Sequence, residues 1–242
     1  MSPVPDPKQN HLLAALRAED YARLLPDLEL TPMPLGWAVY KAGVAMDYVY
    51  FPTTCIVSLL YVMENGDSAE IAIIGNDGLV GVSVFMGGDS MSSWAVVQNA
   101  GECYRIKAKL LKKEFERGGS LQQLALRFTQ TLIAQMVQTG ACNRHHTLEQ
   151  QLCRWLLLSL DRLRENELVM TQKLMANMLG VQRAGVTEAT GKLQKAGLIS
   201  YSGGRVTVLS RAKLEDRVCE CYGVVKDEIE RMFAYKLPIQ AA

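Results

Sequence analysis

Between Met170 and Leu209 the apolar positions change their spacing, and the changes mark the ends of elements. Leu174, Met175, Met178 and Leu179 recur at helical spacing behind Thr171, a good N-cap, and predict a short helix that ends in a tight turn at Gly180. Val186, Ala189, Leu193 and Ala196 form one apolar stripe, which predicts a second helix over about 182–196, stopped by Gly197. Ala176 is the small residue that lets the two helices cross at close range. The runs 198–201 and 205–209 then flank Ser202, Gly203 and Gly204 as a β-hairpin with a glycine turn. The pattern is a helix-turn-helix followed by a wing, and its second helix is the one suited to a major groove.

The rest of the chain divides in the same way. Leu12 to Leu25 has helical spacing and is ended by Pro26. Turn signals then recur at Pro34, Gly36, Gly43, Pro52, Asn65-Gly66-Asp67, Gly75 to Gly78, Gly87-Gly88 and Gly101, the punctuation of a β-roll or jelly roll. Two strand-like runs surround Asn65-Gly66, the strongest hairpin signal in the chain. Ser120 and Gln123 predict a capping box for a long helix. Along it Leu121, Ala125, Phe128, Leu132, Gln135, Thr139, Cys142 and His146 alternate in steps of four and three, and this stripe is assigned to a dimer seam. Leu124, Ile133, Met136 and Val137 make a second apolar surface, so one face is expected on the barrel and one on a partner. A capping box from Thr147 to Gln150 opens the next helix and places a hinge at 143–146.

Composition adds limits. At 242 residues, 49% hydrophobic and 21% charged, the chain is long enough for two cores of an ordinary soluble protein. MSPVPDPKQN lacks the basic and apolar regions of a leader, and the longest apolar stretches, such as 56–63, are strand-length, so no membrane partner is expected. Six cysteines without paired spacings suggest reduced thiols and a cytoplasmic location. Charge is concentrated: from Leu168 to Lys213 there are seven basic residues against one acid, Glu188. That segment carries +6 in a chain of net +1, the footprint of a phosphate-binding surface.

The pattern Thr171-x4-Ala176-x3-Gly180-Val181-x-Arg183-x2-Val186, followed by Leu193-x3-Gly197-Leu198-Ile199, resembles the DNA-binding domain of the cyclic-AMP receptor and fumarate-nitrate regulator (Crp/Fnr) family of bacterial transcription factors. The resemblance extends to Asp47-Tyr-Val-Tyr-Phe-Pro52, Ile74-Gly-Asn-Asp-Gly-Leu-Val-Gly81, Cys142-Asn-Arg-His-His146, Arg154-Trp-Leu-Leu157, Asp161-Arg162 and Cys219-Glu-Cys-Tyr222, which are similar to a large subgroup of that family. It implies an α+β chain: a cyclic-nucleotide-binding-like β-roll sensor over 1–119, a dimerisation helix and hinge over 120–146, and a winged helix-turn-helix with a helical extension over 147–242. The implied function is a homodimeric regulator that binds a palindromic operator in double-stranded DNA, and contacts RNA polymerase if it is an activator. With Val186 at the centre of the buried stripe, a rotation of about 100° per residue turns Ala184, Glu188, Gly191 and Lys195 to the groove, with Arg183 and Thr187 beside them. Thr171, Gln182, Lys192 and Arg205 complete the expected DNA-binding set.

The sensor departs from the nucleotide-binding relatives, which hold the ribose with a Gly-Glu pair and the cyclic phosphate with an arginine about ten residues later. Here Gly81 is followed by Val82, and Ser92 and Ser93 occupy the arginine's neighbourhood. From Ala42 to Tyr104 there is no Lys, Arg or His, against seven acids. The effector pocket is therefore read as degenerate and cyclic AMP is disfavoured. An iron-sulfur cluster is disfavoured because the first cysteine is Cys55, and haem because the histidines are only His11, His145 and His146. Cys219 and Cys221 have the types of metal or redox ligands, but two thiols do not complete a zinc site, so they are assigned a structural role and no metal is expected. Any effector is expected to be apolar, or to be a partner or redox signal acting nearer Cys103 or Cys142. No triad, P-loop or dinucleotide fingerprint points to an enzyme, and Glu64 and Asp67 flank a turn where solvation explains them. The alternative is an interaction module that keeps the barrel and has lost regulated DNA binding.

Overall fold

The computed structural model describes residues 5–163 and 165–234, so the outermost residues of the segments 1–119 and 147–242 lie outside the described residues. Asn10 opens helix α1 (His11–Ala14): its Oδ1 accepts from the amides of Leu12 and Leu13, while its Nδ2 donates to Pro52 and Gly78 carbonyls. Helix α2 (Ala18–Leu24) follows, so the single helix expected over Leu12 to Leu25 is two. The break has a tertiary cause: Arg17 is extended and its amide donates to Ser120 Oγ at 3.0 Å.

Seven strands build the roll: β1 (Glu29–Met33), β2 (Ala38–Tyr40), β3 (Tyr48–Pro52), β4 (Ile56–Val62), β5 (Ser68–Ile74), then, after the short helix α3 (Ser83–Met86), β6 (Trp94–Asn99) and β7 (Gly101–Lys107). They form two antiparallel sheets, β1-β7-β3 and β2-β6-β4-β5, around a core that includes Val49, Phe51, Val57, Leu59, Val97 and Ile106. The predicted hairpin is β4–β5, paired through Val62 and Ser68, with Gly66 in the left-handed region at φ 88°.

Helix α4 (Ala108–Glu116) leads to α5 (Ser120–His145), 26 residues and about 39 Å long. Its start differs from the expected capping box. Gly119, at φ 87°, is the N-cap, and Ser120 lies inside the first turn with its amide and hydroxyl both donating to Asp20. Burial alone would raise the Asp20 carboxyl, but Ser120 and Arg23 hold it below the ordinary carboxylate value. A carboxylate from α2 thus does the capping that Gln123 was expected to share.

The assignment of the seam also changes. Leu121, Ala125, Phe128, Leu132, Gln135 and Thr139 are all buried within the chain, because the barrel claims that stripe. Phe128 covers Gly78, where a Cβ would come within 2.2 Å of its ring, and Gln135 Oε1 accepts from the Ile73 amide at 2.7 Å. The face left outside carries Leu126, Ile133 and Val137, which are 52%, 53% and 66% exposed. Gln130 and Gly140 lie between and beyond them in the same steps of four and three.

Thr147 caps α6 (Leu148–Leu160) with the expected reciprocal box. Then come β8 (Glu167–Val169), α7 (Gln172–Leu179), α8 (Arg183–Lys195), β9 (Ile199–Ser202), β10 (Arg205–Val208), α9 (Arg211–Glu215) and α10 (Cys221–Ala234), the last packed along α5. The wing is a three-stranded sheet, β8-β10-β9, whose turn places Gly203 and Gly204 at φ 57° and 76°. Its domain has its own core, including Leu152, Leu156, Met175, Val186, Leu193 and Val206, and Ile56, Leu60 and Ile73 of the roll join that cluster. Among the described residues no helix is long and apolar enough to cross a membrane.

Candidate nucleic-acid interface and sensor cavity

The position of α8 follows from the small and capping residues around it. Thr171 Oγ1 accepts from the Leu174 amide at 3.2 Å to start α7, and Gly180, at φ 64°, turns the chain into α8. Val186, Ala189 and Leu193 face the core, and Gly185 lets α8 approach α6, since a Cβ there would lie 2.9 Å from Leu148. Gln182, Arg183, Ala184, Thr187, Glu188, Lys192 and Lys195 are exposed, as are Thr171 and Arg205, while Gly191 is half-buried with open space where its Cβ would be. Gln172 was missed by the sequence reading. Its Oε1 accepts from Thr187 Oγ1 at 2.9 Å and fixes that hydroxyl on the outer face.

Charge on this face is partly paired. Glu188 and Lys192 are 2.8 Å apart one helical turn from each other, and the ammonium group holds the carboxyl below its ordinary value. Arg205 reaches Glu167 across the wing at 2.5 Å. Arg211, counted above as part of the basic segment, is held by Asp161, Glu215 and the Tyr222 hydroxyl, and so ties α9 to α6 and α10. Lys173, Arg183, Lys195 and Lys213 remain exposed.

Under α3 lies a cavity of about 280 Å³, lined by Val82, Met86, Met91, Leu132, Ile133 and Met136 among others, and none of its described lining residues is charged. Of the expected effector residues only Val82 reaches it. Gly81 packs on Val49 and Met46, Ser93 is buried outside the lining, and Ser92 is exposed. Arg127 lines a different recess, with Glu228 and Arg231 of α10.

Buried polar links cross from roll to helix-turn-helix domain. Arg162 pairs bidentately with Asp77 at 2.7 and 3.1 Å and donates to the Leu158 carbonyl, and Gly75 leaves room for it. Ser58 Oγ lies 2.6 Å from Glu70 Oε2 and 2.7 Å from Gln98 Oε1, and Gln98 Nε2 donates to Ser159 Oγ. A hydroxyl has one proton, so Ser58 satisfies both neighbours only if Glu70 is protonated and donates to it. Burial agrees, pushing Glu70 up to about 7.

The cysteines separate into two groups. Cys55, Cys103 and Cys153 are buried, and desolvation pushes their thiols up, to about 12 for Cys55 and Cys153. This argues against the expected redox role near Cys103, since the thiolate is the reactive form. Cys142, Cys219 and Cys221 instead meet His146, with all four ligand atoms within 4.8 Å of one another. Along the sequence Cys219 and Cys221 have no further thiol or imidazole nearby; the fold brings Cys142 and His146, at the C-terminal end of α5, beside them.

Two family profiles match this arrangement, a cyclic nucleotide-binding domain over residues 33–117 and a Crp-like helix-turn-helix domain over 150–217. The chain belongs to the Crp/Fnr family. Among solved structures, a crp/fnr-family protein from Eubacterium rectale is 16% identical, with 86% of this chain and 98% of that one aligned at a TM-score of 0.67. FixK2 from Bradyrhizobium japonicum is also 16% identical, with 79% and 98% aligned and a TM-score of 0.65. The c-di-GMP responsive global regulator CLP of Xanthomonas campestris is 17% identical, with 80% and 100% aligned and a TM-score of 0.59. At these identities the likeness is one of fold: the β-roll, long helix and helix-turn-helix of a Crp/Fnr regulator. No curated protein matches the chain.

Proposed function

We propose that this member of the Crp/Fnr family is a homodimeric transcriptional regulator that reads a two-fold symmetric DNA site with α8. The observation that carries this reading is the outer face of α8: Arg183, Thr187 and Lys195 are exposed on a helix held rigidly by α6 and α7. Arg183 is assigned to reading guanine, and Thr171 and Arg205 of the wing to meeting phosphate. Glu188, paired with Lys192 on the same face, is a candidate acceptor from cytosine. Dimerisation falls to Leu126, Ile133 and Val137, the apolar face that the barrel leaves outside. Selection from random duplexes followed by salt-dependent gel shift tests the reading. The expected result is a palindrome with half-sites about 34 Å apart, and binding without sequence preference overturns it.

The uncharged cavity beside α5 supports an apolar effector. Cyclic AMP would bring a negative charge to a lining without a cation, at a cost of several kcal/mol, enough to move micromolar affinity towards millimolar. Calorimetry is expected to detect no cyclic AMP binding at physiological concentration. Micromolar binding accompanied by a change in gel-shift affinity would falsify this.

A further inference from the structure

We propose that Cys142, His146, Cys219 and Cys221 form a site for one thiophilic divalent cation, with the donor set of zinc(II), that fastens the end of α5 to the start of α10. Cys142 lies in the last turn of α5 and His146 is the extended residue that caps its C-terminus, while Cys219 and Cys221 flank the residue that leads into α10. The three cysteines are buried and His146 is half-buried, so four donors converge at a place where only the imidazole edge meets solvent. Tetrahedral zinc with bonds of about 2.3 Å to sulfur and about 2.0 Å to nitrogen sets its ligand atoms roughly 3.8 Å apart for two sulfurs and roughly 3.5 Å apart for sulfur and nitrogen. Here Cys142 Sγ and Cys219 Sγ are 3.6 Å apart, and Cys221 Sγ and His146 Nδ1 are 3.4 Å apart.

The surroundings match as well. With Nδ1 facing the sulfurs, His146 Nε2 lies 3.3 Å from a Glu220 carboxylate oxygen, the partner that ligating histidines use to fix tautomer and ring orientation. Gln138 Nε2 donates to Cys221 Sγ at 3.0 Å, and Gln151 Nε2 donates to the His146 carbonyl at 2.9 Å, which holds the ligand-bearing backbone in place. Three thiolates around a divalent cation leave a net charge of −1, and the buried guanidinium of Arg154 on α6 donates to Thr139, one turn before Cys142, at 3.2 Å. Binding releases the thiol protons to solvent and needs no oxidant. A Cys142–Cys219 disulfide would use two of the four donors and leave the imidazole and third thiol unexplained. A four-iron cluster gives each thiolate its own iron and needs a wider cage than 4.8 Å.

The site spans the joint between α5 and α6, since His146 immediately precedes the Thr147 cap. On the regulator reading above, filling it sets the hinge and so the DNA affinity; the metal site itself does not depend on that reading.

Cobalt(II) titration of the reduced, full-length protein tests the site through the thiolate-to-cobalt charge-transfer band and the strong visible bands of tetrahedral cobalt. One equivalent per protomer, displaced by zinc, is expected. Cys221→Ser should abolish the band, Cys153→Ser should leave it unchanged, and Glu220→Gln should weaken affinity roughly 10- to 100-fold, an effect that plain packing of the cysteines does not produce. Wild-type protein that takes up no cobalt while its thiols are reduced, or that yields only a Cys142–Cys219 disulfide, overturns the proposal, and this arm requires no variant to fold. Gel shifts with the site filled and stripped then address the hinge: a change of fivefold or more, roughly 1 kcal/mol, is expected. Equal affinity in both states overturns the coupling alone, and absence of DNA binding in both states counts against the regulator reading instead.

Discussion

Glu70 lies on β5 between Ser58 and the helix-turn-helix domain, and its proton is part of the fold. Its folded value of about 7 lies above the ordinary 4.5, so the native state keeps a proton that the unfolded chain releases over that interval. Stability is therefore full below about 4.5 and falls as pH rises through about 7, by on the order of 3 kcal/mol. Glu70→Gln, which stays neutral and can donate to Ser58, should flatten the dependence, and urea unfolding on both sides of the window measures it. If the variant and the wild type lose stability in parallel as pH rises, another group is responsible. On the outer face of α8 the reverse logic holds, because Arg183 is exposed. Arg183→Ala should leave unfolding within about 0.5 kcal/mol of wild type while costing roughly 1–3 kcal/mol of specific DNA affinity and relaxing one operator position. Unchanged sequence preference would remove Arg183 from the reading set.

At the scale of elements, α5 separates two substitutions that the sequence alone would treat as equivalent. Leu132 is 3% exposed and faces the roll, whereas Ile133 and Val137 face outward. Leu132→Asp should therefore destabilise the protomer by several kcal/mol, because its carboxylate is buried without a partner. The double variant Ile133→Asp, Val137→Asp should keep its fold and yield monomers, since like charges would face each other across the seam. Sedimentation velocity together with circular dichroism tells these outcomes apart. A folded dimer of the outward-facing variant at micromolar concentration moves the interface elsewhere.

Across the whole molecule, the roll and the helix-turn-helix domain are joined by one apolar cluster and by the Asp77–Arg162 pair, whose side chains are 10% and 2% exposed. Removing one partner of such a pair leaves a buried charge and costs about 3–5 kcal/mol. Arg162→Ala should lower stability by that amount and split the unfolding transition as the helix-turn-helix domain loosens from the roll, which calorimetry can follow. A single transition at the wild-type temperature would mean that the Asp77–Arg162 pair does not hold the domains together. The pair also accounts for two motifs that looked independent along the chain, since the Gly75-Asn-Asp77 turn and Asp161-Arg162 meet in one contact.

What the sequence determined alone were the features whose physics is local. The Gly180 and Gly203-Gly204 turns need left-handed backbone, Thr147 and Gln150 cap their own helix, and the absence of cations from 42–104 is a matter of composition. Periodicity identified α5 and an apolar stripe along it, but not which face the barrel would take: Leu124, grouped with Ile133 and Val137, is buried in the roll's core, and Leu126, outside that grouping, is exposed. Only the placement of Gly78 under Phe128 and of Ile73 against Gln135 decided it. The cap of α5 likewise came from Asp20, 100 residues upstream, and the partners of Cys219 and Cys221 came from α5, more than 70 residues away. Spacing along a chain encodes only contacts within a few residues, and these were settled when α2, α5 and α10 packed together.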